Sequence, residues 1–147
     1  MRMNYAIVKL GIVLNTVIGI GHLLCMMNLE SIFAIYGIDG TMALIAQYGA
    51  WLPYAITIVI AMAFLLAAAY GLSALRLIQR LPLQHTAFVV MSIVFLGRAV
   101  WGITILVSGF SCLELSSTCI ALLLGICYLP CLIKHKDDTT KEDILSA

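Results

Sequence analysis

Apolar residues run without serious interruption through residues 5–27, 50–75, 86–109 and 115–133, and the polar positions between these stretches are few. Each run reaches the roughly 20 residues that a helix needs to cross the ~30 Å hydrocarbon layer. Continuous apolar runs lack the alternation of a barrel strand, and a helix satisfies its own backbone in lipid. The connection between the first two runs has a pattern of its own. After Asn28, a good N-cap, Leu29, Ile32, Phe33 and Tyr36 recur at helical spacing, and Gly37 offers a stop. Asp39-Gly40 reads as a turn, and Thr41 to Gly49 repeats the cap, apolar stripe and glycine stop. The predicted fold is all-α: a four-transmembrane-helix bundle with two short amphipathic helices in the outer loop between helices 1 and 2. Residues 1–134 form the transmembrane domain and residues 135–147 a polar cytoplasmic tail; the connection at 76–85 carries nothing comparable to the outer loop.

Composition agrees with the pattern. With 63% hydrophobic and 10% charged residues, the 147-residue chain has too little polar surface to cover a water-soluble globule. The first run is expected to be retained, since it is long for a signal peptide and no small-x-small cleavage pattern closes it. Arg2, Lys9, Arg76, Arg80, Lys134, Lys136 and Lys141 contrast with Glu30, Asp39 and Glu114 in the other two connections. By the positive-inside rule both termini are cytoplasmic and the acidic loops face outward, in the inner membrane of a bacterial cell. Trp51, Pro53 and Tyr54 open the second helix at the outer interface, and Pro130 loosens only the last turn of the fourth. A net charge of +1 leaves no nucleic-acid footprint.

Helical spacing then sorts the polar residues onto faces. The first helix places Gly11, Asn15, Ile18, His22 and Met26 on one stripe, with Gly19 beside it. The second offers Tyr54, Thr57, Ala61 and Ala68, the third Arg98, Gly102 and Gly109 with Trp101 alongside, and the fourth Glu114, Thr118, Ala121 and Gly125. Small and polar residues are what membrane helix interfaces use, so these stripes are expected to meet. At ~1.5 Å per residue, Asn15 and Arg98 lie roughly 16–18 Å below the outer helix ends and His22 about 7 Å below, near Thr57. The expected site is a polar column of Asn15, His22, Thr57, Arg98, Trp101 and Glu114 that opens outward. In it Asn15 is the nearest partner for Arg98, and Trp101 is available for stacking.

Two readings of Arg98 stand: a structural arginine that fixes helix packing, or an anchor for an anionic group on a lipid, a quinone-like molecule or a carboxylate. A lone His22 is more often core filler than a ligand. His85 and His135 belong to the cytoplasmic side, far from His22, so neither a haem pair nor metal-ligand spacing is present, and no cofactor is expected. Cys25, Cys112 and Cys119 lie toward the outer face, where a Cys25–Cys112 bond is open. Cys127 and Cys131 sit at i, i+4, and no C-x-x-C occurs, so most of the cysteines read as small packing residues.

The order of "GIGHLL", an outer "IYGI" and a third-helix "GRAVWGI" resembles the small four-helix membrane proteins of the DoxX-like group. That resemblance implies the four-helix bundle and no catalytic residue. The expected function is a non-enzymatic, multi-pass protein that sits in the lipid bilayer. Through the outward column it binds a small amphiphile or a partner membrane helix, as an accessory or protective component. The rivals are a membrane oxidoreductase subunit working with quinone or thiols, and a small channel or carrier formed by oligomerisation.

Overall fold

A computed structural model of the chain describes residues 5–145, with side chains as far as Leu129. Every element among the described residues is helical: α1 (Tyr5–Cys25), a single 3₁₀ turn (Met26–Asn28), α2 (Leu29–Tyr36), α3 (Asp39–Ala46), α4 (Leu52–Ala74), α5 (Gln84–Ser108) and α6 (Cys112–Leu145). Four spans are long and apolar enough to cross a membrane: Tyr5–Tyr36, Leu52–Ala74, Gln84–Ser108 and Cys112–Leu129. The backbone of α6 continues past residue 134, the edge of the transmembrane domain expected from sequence. Pro130, expected in the last turn of the fourth helix, lies well inside α6, whose helical backbone continues to Leu145. Cys131 and the lysines of the tail lie outside the described side chains, and Arg2 lies outside the described residues.

By their contacts the residues divide into two units, one of Met1–Leu14 with Ala67–Ala147, the other of Asn15–Leu66. The first unit is built around Tyr128, which is fully buried. Its ring stacks on Phe88 at 5.8 Å and Phe95 at 6.4 Å, and its hydroxyl donates to the Ala67 carbonyl at 3.1 Å. The hydroxyl needs such a partner, because an unpaired polar group in an apolar interior costs free energy that nothing returns. Gly11 of α1 and Gly71 of α4 both lie against Tyr128; a Cβ on Gly71 would fall 2.6 Å from Ile12. Residues from α1, α4, α5 and α6 therefore meet at one aromatic group, with Gly11 and Gly71 letting the α1 and α4 backbones approach it. On α5 the buried positions Phe88, Ser92, Phe95, Ala99 and Gly102 keep a strict helical period and end in two small residues, Ala99 and Gly102. Gly102 opposes Thr118, and Gly125 opposes Leu96, which sets the antiparallel register of α5 on α6.

The α4–α5 connection belongs to this unit and is tied down by side chains. Ser73 donates to the Gln79 carbonyl at 3.1 Å and accepts from the Leu81 amide at 3.0 Å, while the Tyr70 hydroxyl donates to the Pro82 carbonyl at 3.1 Å. Arg76 takes a left-handed backbone with φ 58° to close α4, and its amide and that of Leu77 bond back to Ser73 and Leu72.

In the second unit, Gly19 of α1 lies on Leu65 and the Ala61 carbonyl of α4. The end of α2 follows the expectation: Gly37 is left-handed at φ 66°, with Gly37 and Ile38 amides bonded to Ala34 and Phe33. The start of α3 does not. Asp39 and Gly40 are its first two residues rather than a turn, and Thr41 lies inside its first turn rather than capping it. The glycine closure of α2 already reverses the chain, so the next helix begins at once, with Asp39 where the helix dipole favours an acid. Asn28 does precede α2, but its side chain makes no capping bond. After Ala46, successive i to i+3 bonds carry the chain through Gly49 to the Trp51 corner.

α6 starts at Cys112, three residues earlier than its apolar run. Ser111 and Glu114 form the Ser-x-x-Glu order that marks a helix start, and the Leu115 amide bonds to the Ser111 carbonyl. Along the spans the apolar side chains point outward: Val13, Val17 and Ile20 on α1, Val59, Met62 and Leu66 on α4, Ile93, Val94 and Val100 on α5, and Leu122, Leu123 and Ile126 on α6 are all exposed. That inversion suits a lipid solvent and would be an aggregation liability in water.

Candidate functional site

Arg98 is held within the first unit, between α5 and α6. Its Nη1 lies 2.8 Å from Glu114 Oε1 and its Nη2 donates to the Ser117 hydroxyl at 3.0 Å. The Ser117 hydroxyl in turn donates to the Glu114 carbonyl at 3.1 Å, and the Thr118 hydroxyl donates to Glu114 Oε1 at 3.5 Å. Gly102 makes this possible. A Cβ there would fall 2.8 Å from Arg98 Nη1 and also on Thr118, so the missing side chain is the lane along which the guanidinium reaches the start of α6. Within its own unit the charge partner of Arg98 is Glu114. Arg98 lies well inside α5 and Glu114 in the first turn of α6, and a long arginine side chain running along its own helix closes that gap. The ion pair is part-exposed, with side-chain accessibilities of 39% for Arg98 and 19% for Glu114.

Trp101, expected to stack on Arg98, is 65% exposed. Gly109 and Tyr54, expected on inward stripes, are exposed as well. One residue's error in assigning the centre of a helical face moves a side chain by 100°, enough to turn it from core to surface.

The remaining expected site residues lie in the second unit. Asn15 is fully buried. His22 has Nδ1 at 2.9 Å from the Ile18 carbonyl and its ring 5.5 Å from Phe64. Thr57 donates to the Pro53 carbonyl at 2.9 Å. His22 and Thr57 therefore spend polar capacity on their own helices, which is how a span buries such groups cheaply. Cys25, Cys112, Cys119 and Cys127 are free thiols, so the Cys25–Cys112 bond left open by the sequence is not formed. Among the described residues, no group of three or more His, Cys, Asp and Glu side chains gathers as metal ligands would.

The second unit also contains a feature that the stripes did not anticipate. A cleft of about 530 Å³ opens between α2, α3 and the start of α4. Leu29, Phe33, Met42, Pro53 and Tyr54 supply its apolar wall, and Glu30 and Asp39 also line it. Its signal was present in the sequence as two short helical patterns, but spacing within each pattern says nothing about the space between them, and Asp39 read as a turn residue rather than as the start of α3.

Four long apolar helices with lipid-compatible outer faces define a multi-pass helical membrane protein. No family model, curated protein or solved structure matches the chain.

Proposed function

We propose that this membrane protein is a binding protein for a small amphiphile, and that the binding place is the cleft at α2, α3 and the start of α4. The observation that carries this reading is the cleft itself: about 530 Å³, within the range of small-molecule pockets, with a mostly apolar wall and two polar groups that can fix orientation. The Arg98 cluster serves instead as a staple between α5 and α6, since Glu114 neutralises its charge. Equilibrium dialysis of protein-bearing nanodiscs, with empty nanodiscs subtracted, tests the reading against octyl glucoside, octanesulfonate and octyltrimethylammonium. At least one of the three is expected to bind saturably and to lose that binding when Ala43, which also lines the cleft, is replaced by the larger phenylalanine in Ala43→Phe. The reading fails if none of them binds saturably, or if Ala43→Phe leaves binding unchanged.

The protein lies in the inner membrane with both ends cytoplasmic, and α2 and α3 are amphipathic helices at the outer surface. Exposed Arg76 and Arg80 on the α4–α5 connection support this orientation, against Glu30, Asp39 and Glu114 toward the opposite helix ends. Reporter fusions at Gly40 and after Ala147 are expected to report opposite sides; the same side for both would overturn the orientation. The likeness to DoxX-like proteins supports the four-helix arrangement and adds nothing about the ligand.

A further inference from the structure

We propose that the cleft selects amphiphiles with a cationic, ammonium-type head. The inference rests on the amphiphile-binding reading and names its ligand class. Glu30 and Asp39 start different helices, yet both line the same cleft. Helix dipoles account for an acid in each first turn, but they do not require both acidic residues to line one cleft. Among the described residues, Arg98–Glu114 is the one salt bridge, so neither cleft carboxylate is neutralised by a basic neighbour. An anionic head entering the cleft meets a lining with two like charges, and a cationic head one with two opposite charges. Phe33 and Tyr54 extend the preference, because aromatic surface attracts cations as well as alkyl chains, and Met42 and Pro53 complete the apolar wall for the tail.

The ammonium has two sources, a soluble organic cation or the headgroup of a lipid such as phosphatidylethanolamine. Both present the same chemistry to Glu30 and Asp39. The dialysis experiment separates the head groups and then the sources. In phosphatidylglycerol nanodiscs, octyltrimethylammonium is expected to bind about tenfold more tightly than octanesulfonate once empty discs are subtracted. The double variant Glu30→Gln with Asp39→Asn is expected to remove that preference while retaining helical circular dichroism. If the double variant does not fold, the head-group ratio of the unaltered protein still decides. Equal affinity for the two head groups, a preference for the sulfonate, or a preference untouched by the double variant would overturn the proposal while leaving amphiphile binding intact. Absence of saturable binding for every head group would instead overturn the binding reading beneath it. Repeating the measurement in phosphatidylethanolamine discs assigns the source. Loss of the probe by competition identifies the lipid head as occupant, and unchanged binding identifies a soluble cation; either supports ammonium recognition.

Discussion

Replacing Glu114 with Leu while Arg98 remains is expected to destabilise the α5–α6 pair by about 2–3 kcal/mol, because the guanidinium is left without its counter-charge. A fully buried pair broken in this way costs more, and the 39% accessibility of the Arg98 side chain argues for the lower end of the range. Removing both charges together, Arg98→Leu with Glu114→Leu, is expected to recover most of the loss, since no uncompensated ion remains. A double-mutant cycle in reversible detergent denaturation measures the coupling. Strict additivity of the two single losses would show that the pair does not act as a unit, and would reopen the reading of Arg98 as an anchor for an external anion.

Tyr128 is expected to give the largest loss of any single core substitution. Tyr128→Ala removes a ring packed on Phe88 and Phe95 at the meeting point of α1, α4, α5 and α6, and is expected to cost about 3–5 kcal/mol. Tyr128→Phe keeps the ring but drops the bond to the Ala67 carbonyl, with an expected cost of about 1–2 kcal/mol. Thermal unfolding in micelles, followed by circular dichroism, resolves the two steps. A Phe variant as stable as the parent would show that the buried hydroxyl contributes nothing.

The four spans were legible because length and hydropathy alone set them; of the stripe read on α1, Gly11, Asn15 and the flanking Gly19 are buried, whereas Ile18, His22 and Met26 are only half-buried. The partner of Arg98 was not legible. It depends on the register of α5 against α6, which Gly102–Thr118 and Gly125–Leu96 establish, and register between separate helices leaves no trace in the periodicity of either. Tyr128 was overlooked for a related reason. A single aromatic in an apolar run reads as lipid-facing or buried with equal ease until its neighbours are known. The cleft escaped because its walls come from three elements, and only the outline of each short helix could be read along the chain.

The Arg98–Glu114 pair also bears on how the protein enters its membrane. Arg98 is made before Glu114, and only residues 109–111 separate the two helices that carry them. Inserted alone, α5 would take a free cation into the bilayer at a cost of roughly 2.5–3.5 kcal/mol on insertion scales. Inserted with α6 as a hairpin, the same segment enters with its charge already matched. The route of lowest cost during biogenesis is therefore joint entry of α5 and α6, with the ion pair closed at the translocation step rather than after it.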